Sequence, residues 1–128
     1  MARVKRNPET RKRSAQGRAL RRYDRPYERL KAKLRDLGYV CVGSITRRWL
    51  TCGKPSCACH RHQARRHGPY YYWTRKIAER TESRMLDESI IHLYKEGIRN
   101  HRNLDTLIKK MREVSLSAFD AAKMASNR

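Results

Sequence analysis

Between positions 52 and 67 the chain carries Cys52, Cys57, Cys59 and His67 in the spacing C-x4-C-x-C-x7-H. Thiolate sulfur and neutral imidazole nitrogen are the donors a borderline-soft ion such as Zn²⁺ prefers, and a structural site takes four of them in a tetrahedron. Gly53 and Pro55 supply turn chemistry between the first two thiols. Cys57 and Cys59 flank Ala58, and residues two apart in extended chain point to one side, so both sulfurs can face one ion. The expected ligands are Cys52, Cys57, Cys59 and His67. For the fourth, His62 and Cys41 are alternatives, although Cys41 lies in an apolar alternating run that suits a core position.

Between Leu37 and Ala78 there is no Asp or Glu, while Arg47, Arg48, Lys54, Arg61, Arg65, Arg66, Arg75 and Lys76 all fall there. A Mg²⁺-dependent nuclease or polymerase holds its ions with carboxylates, and a zinc deaminase needs a Glu beside the metal. Neither is provided for. A closed four-ligand zinc site also leaves no position for a reactive water. An enzyme therefore requires either an open zinc or a reactive thiol, which is the last of three readings.

The run Cys52-Gly53-Lys54-Pro55-Ser56-Cys57-Ala58-Cys59, followed by His67-Gly68-Pro69-Tyr70-Tyr71-Tyr72, resembles the signature CGKxxCxC…HGPYYY of a family of short prokaryotic proteins of unknown function. The resemblance extends over about residues 43–114. It implies zinc binding and supports His67 as a ligand, and it supplies no activity. Many members of that family have a Gly-Lys turn after the aromatic strand. Here the sequence is Ala78-Glu79-Arg80-Thr81, which implies a looser hairpin.

Over its 128 residues the chain carries 32 Lys and Arg against 12 Asp and Glu, a net charge of +20. Self-repulsion on that scale opposes compaction unless a polyanion neutralises it, which makes nucleic acid, DNA or RNA, the expected partner. Only 38% of the residues are hydrophobic and there is a single Phe, so a large core is excluded and a structural metal would supply folding free energy. No run of about 18 apolar residues is present, and Met1-Ala2-Arg3-Val4-Lys5-Arg6 lacks a secretory apolar region, so a cytoplasmic protein with no membrane partner is expected. In a reducing compartment clustered cysteines favour metal over disulfide.

Several elements must position these groups. Residues 1–25, rich in Arg and Lys (Arg11, Lys12 and Arg13 among them), read as a basic, disordered arm that orders on a polyanion, with 11–23 able to turn helical there. A helix is expected over 26–37, with Asp24 as cap and a Tyr27, Leu30, Leu34, Leu37 stripe. Strands are expected over 39–45, extending toward Trp49, over 69–77 and over 81–86. A long helix over 87–114 carries an apolar stripe, weakened at Gly97 and interrupted over 99–103. That stripe outruns so small a sheet and needs either the 26–37 helix or a second copy of the chain. The expected fold class is α+β: a small antiparallel meander with a zinc loop, one short N-terminal helix and one long C-terminal helix. The expected division is an arm (1–25), a zinc-stabilised domain (26–115) and a frayed or short helical tail (116–128).

On the strand 69–77, Tyr70 and Tyr72 face one way and Tyr71 and Trp73 the other. One pair is core; the other, bordered by Arg75 and Lys76, can stack on unpaired bases. Tyr71 and Trp73 are assigned to the nucleic-acid side, with Arg11, Lys12, Arg13, Arg47, Arg48, Lys54, Arg61, Arg65, Arg66, Arg75 and Lys76. Trp49, beside Arg48, raises the same question. The expected function is non-catalytic nucleic-acid binding, mainly through phosphates, with a structural zinc. The first alternative is a structural component of a ribonucleoprotein, where RNA neutralises the same charge.

Overall fold

The computed structural model describes residues 7–127. Arg3, Lys5 and Arg6 of the expected basic arm lie outside them. The fold is α+β, with the order α1 (Pro8–Arg21), α2 (Asp24–Arg35), β1 (Ser44–Leu50), two short 3₁₀ turns, β2 (His67–Ile77), β3 (Arg80–Leu86) and α3 (Ile91–Ser126). The three strands form one antiparallel sheet in the order β1-β2-β3. Contacts divide the chain into two compact units, Gly38–Arg102 and the remaining described residues, 7–37 with 103–127.

In the Gly38–Arg102 unit, alternation along the strands separates two faces. Trp73, Leu86, Ile91 and Ile98 form the core, and Cys41, Ile45, Tyr71 and Tyr94 pack against it. The Trp73 and Tyr94 rings lie 5.4 Å apart at a tilt of 55°, an arrangement suited to the aromatic quadrupole. Arg75 and Arg84 stand over Trp73 at 5.0 and 5.6 Å. Glu82 accepts from Arg75 Nε at 2.9 Å and pairs with Arg84 at 3.2 Å. The Arg75 hydrogen bond, helped by the charges of both arginines, outweighs desolvation and holds the Glu82 carboxyl below its ordinary value. The stability it contributes is present above the ordinary carboxylate pKa and is lost as pH falls through the depressed one.

The expected strand over 39–45 is corrected: pairing begins at Ser44. The preceding segment gives its backbone groups to other partners. Cys41 N–H donates to Gly97 O at 2.9 Å, Asn100 Nδ2 donates to Tyr39 O at 2.8 Å, and Trp73 Nε1 donates to Val42 O at 2.9 Å. Here Gly97 is a point of close approach, since a Cβ there would lie 2.8 Å from Cys41 Cβ. It does not break the helix. Helix α3 runs unbroken for 36 residues, through both the expected interruption over 99–103 and the expected tail.

The hairpin between β2 and β3 is also tighter than expected. Ile77 pairs with Arg80, leaving a loop of Ala78 and Glu79 at φ values of 47° and 67°. Positive φ at both central residues is what a two-residue hairpin requires, and it disfavours residues with a Cβ. Replacing Ala78-Glu79 with Asn-Gly should therefore stabilise the protein by about 1 kcal/mol, raising Tm by roughly 3–6 °C. Thermal melts monitored by circular dichroism check this.

The second unit is helical. Asn7 Oδ1 accepts from Glu9 N–H at 3.2 Å, Pro8 occupies the first turn, and Arg18 and Arg21 sit at the C-terminal end. These favour the α1 helix where a disordered arm is expected. Ala15, Arg18, Ala19 and Arg22 line a groove with Ala121, Met124 and Ala125 of α3. Helix α2 begins at Asp24, with Tyr23 as its cap residue in place of the expected Asp24. Tyr27 and Leu34 line one apolar groove with Leu104, Ile108 and Met111 of α3. Part of the surplus apolar stripe of α3 thus lines a groove shared with α2, while Leu116, Phe119 and Met124 are exposed. No helix among the described residues is long and apolar enough to cross a membrane.

Candidate metal centre and surrounding basic surface

The loop between β1 and β2 folds on itself by short-range hydrogen bonds. Cys57 N–H donates to Lys54 O at 3.1 Å, His60 N–H to Cys57 O at 3.2 Å, and His62 N–H to Ala58 O at 3.0 Å. The 3₁₀ turns Ala58–His60 and Gln63–Arg65 follow from these closures. His67 opens β2 and pairs with Leu50, the last residue of β1, so the two strands hold the ends of the loop together. Between the pairs Arg48–Tyr70 and Leu50–His67 the register shifts, with Gly68 and Pro69 opposite Trp49 alone. Gly68 sits at φ 134°, where a Cβ would lie 2.8 Å from Arg48 O. Glycine is required there to bring the strand back in register at His67.

The side-chain donor atoms of Cys52, Cys57, Cys59 and His67 all lie within 4.8 Å of one another. Cys59 Sγ is 3.6 Å from Cys52 Sγ, and Cys57 Sγ is 3.5 Å from His67 Nε2. With Zn–S near 2.3 Å and Zn–N near 2.0–2.1 Å, the edges of a tetrahedron come to about 3.8 Å between sulfurs and about 3.5 Å from sulfur to nitrogen. The four donors fit one such ion in type and spacing, and they can hold a metal. His62 and Cys41, the alternatives for the fourth position, stand apart from the cluster. Cys41 packs against the core instead.

Electrostatics within the cluster call for a cation. The Cys59 backbone N–H and then the His67 side chain pull the Cys57 thiol down to about 6. At Cys59 the Cys52 N–H, donating at 3.3 Å, lowers the pKa, yet burial and the neighbouring Cys57 and Cys52 sulfurs together outweigh it and raise the thiol. Three thiolates at this separation repel one another, and a divalent ion removes that penalty. Cys59 is 2% exposed while His67 is exposed, so the cluster is closed on its Cys59 side.

The expected nucleic-acid residues scatter over several surfaces. Arg47, Arg48 and Arg66 line one cleft beside Trp49. Lys54, Arg61 and Arg65 are exposed on the metal-loop segment, and Lys76 is exposed near the end of β2. Arg11, Lys12 and Arg13 lie along α1, Arg13 within 3.8 Å of Glu9. Arg75 is occupied by Glu82 and Trp73.

The structure places Trp73 in the core and leaves Tyr71 half-buried beside it. Trp73 is 6% exposed and Tyr71 packs on the core, because α3 and the 39–42 segment cover their side of the sheet. The opposite side carries Arg48, Tyr70, Tyr72, Lys76 and Met85 by register, with Ser44, Thr46, Thr74, Thr81 and Ser83 between them. None of these is buried and none is acidic. The Arg48 guanidinium stands 4.4 Å over the Tyr72 ring. Sequence alternation separates the two aromatic pairs but does not say which side the helix covers.

The model of the family described as Domain of unknown function (DUF6788) matches residues 8–90, from the start of α1 through the metal loop and sheet to just before α3. Searches of curated proteins and of solved structures find no match to the chain. With well over half of its length matched, including all four clustered donors, the chain belongs to the DUF6788 family.

Proposed function

We propose that the protein is a non-catalytic nucleic-acid-binding module whose sheet and loop are held by one structural Zn²⁺ on Cys52, Cys57, Cys59 and His67. Zinc is the metal best matched to three thiolates and an imidazole at these spacings. The observation that carries the nucleic-acid reading is the open side of the sheet. It offers Tyr70 and Tyr72 with Arg48 and Lys76, free of carboxylates, in a chain of net charge +20. Aromatic faces bordered by cations suit stacked bases and their phosphates. The basic residues of α1 and of the metal loop add sequence-independent phosphate contacts.

Binding isotherms at several salt concentrations test this. Log K should fall steeply with log salt, and neutralising Arg61 and Arg65 together should flatten the slope by about one unit per lost phosphate contact. Tyr72→Ala should weaken single-strand binding by roughly 1–3 kcal/mol with little change in that slope. A flat salt dependence in the intact protein refutes the nucleic-acid reading.

A further inference from the structure

Beside the metal loop, Arg47, Arg48 and Trp49 of β1 and Gln63, Ala64 and Arg66 of the second 3₁₀ turn and its end enclose a cleft of about 520 Å³. Its size lies within the range of small-molecule sites. Trp49 is 48% exposed, unlike Trp73 in the core. The Arg47 guanidinium stands 5.9 Å from its ring centroid. Trp49 is also the residue of β1 left without a partner where the register shifts, between the pairs of Arg48 and Leu50. Arg47, Arg66, an exposed indole and an amide thus line one open cleft with Leu50 and the backbone of Arg48, whose guanidinium lies on the opposite side of the strand, and no carboxylate lines it. Arg48 belongs both to the cleft and to the open side of the sheet, where it covers Tyr72.

From this juxtaposition we infer that the cleft is a subsite for one unpaired nucleotide of a single strand, its base stacked on Trp49 and its phosphate held by Arg47 and Arg66. The inference rests on the nucleic-acid reading and deepens it. A base paired within a duplex has both faces covered by its neighbours, so it cannot lie against the indole without leaving the stack. Guanidinium groups suit phosphate oxygens through their forked donors, and the indole offers a sequence-tolerant stacking face. The Gln63 amide can donate to or accept from a base edge. Through Arg48 the strand continues onto the open side of the sheet, toward Tyr72 and Tyr70.

The test uses the full chain as purified, with a short oligo-dT or oligo-U strand, a duplex of the same length, and uridine monophosphate as probes. Single strand should quench tryptophan emission and bind more tightly than duplex. In Trp49→Phe the quench should largely vanish while affinity changes little, since a stacking ring remains. Trp49→Ala should weaken single-strand binding roughly 5- to 150-fold, leaving duplex binding and the salt slope unchanged. Ala64→Glu, which brings a carboxylate into the cleft from the exposed 3₁₀ turn, should also weaken the strand and guards against a folding defect in Trp49→Ala. Steep salt-dependent binding with no quench, and no effect of either Trp49→Ala or Ala64→Glu, overturns the cleft while leaving the nucleic-acid reading intact. Uridine monophosphate bound as tightly as the strand makes this a free-nucleotide site and overturns the strand. No salt-dependent binding of any oligonucleotide removes both readings together.

Discussion

Protein purified without chelator should contain one Zn²⁺ per chain, and stripping it should unfold the Gly38–Arg102 unit. Four donors within 4.8 Å of one another, three of them sulfur, sit in a loop with no buried apolar side chain other than Cys59. That loop is closed by a few backbone hydrogen bonds and the pairing of His67 with Leu50. Structural zinc in small domains contributes apparent binding free energies of about 10–16 kcal/mol near neutral pH, comparable to or above the whole net stability of an ordinary small domain, about 5–15 kcal/mol. Cys52→Ser, Cys57→Ser and Cys59→Ser should each lower metal content and abolish the cooperative melt. Cys41→Ser should be milder and keep full metal content, because Cys41 packs on the core and is not in the cluster. Elemental analysis paired with circular dichroism before and after chelation checks both halves. Normal folding at negligible metal content would sink the zinc assignment, and metal loss in Cys41→Ser would return Cys41 to the ligand set.

Trp73→Ala should be the most damaging change away from the metal, destabilising the protein by about 3–5 kcal/mol. Its indole is the largest side chain of the core cluster and contacts the Tyr94 ring, and its Nε1 is the donor to Val42 O. Truncation removes packing for Leu86, Ile91 and Ile98 and unties the 39–42 segment from the sheet. It also exposes Arg75 and Arg84 to a cavity where an aromatic face had been. Tyr72→Ala, on the neighbouring residue and the opposite side, should leave Tm nearly unchanged. The two variants side by side, read by melts and by oligonucleotide affinity, separate stability from binding. Equal destabilisation by both would mean that the open side of the sheet is covered in solution.

The sequence alone pointed to the cluster of Cys52, Cys57, Cys59 and His67 as able to hold a metal, because donor type and spacing are local, while the fold brought these four donors together and left His62 and Cys41 out. The sequence also determined the α+β class and the positions of β2 and β3, since β-rich residue types bounded by turn signals need no tertiary information. It located the stripes of α2 and α3 by their helical period. It did not determine the start of β1, because residues 39–42 are strand-like in composition and spend their backbone groups on Gly97, Asn100 and Trp73, partners far away in the chain. Helix α1 was legible only as a stretch able to turn helical on a polyanion, because its few apolar residues, Ala15 and Ala19 among them, are too weak a stripe to register beside so many arginines. The hairpin defied turn chemistry, Ala78 and Glu79 adopting positive φ because the flanking strand pairs leave room for two residues only. Most consequential for function, alternation separated Tyr70 and Tyr72 from Tyr71 and Trp73, but only the placement of α3 decided which side packs on the core, burying Trp73. A period of two is symmetric between the faces of a strand, and that symmetry is broken by whatever packs on one side.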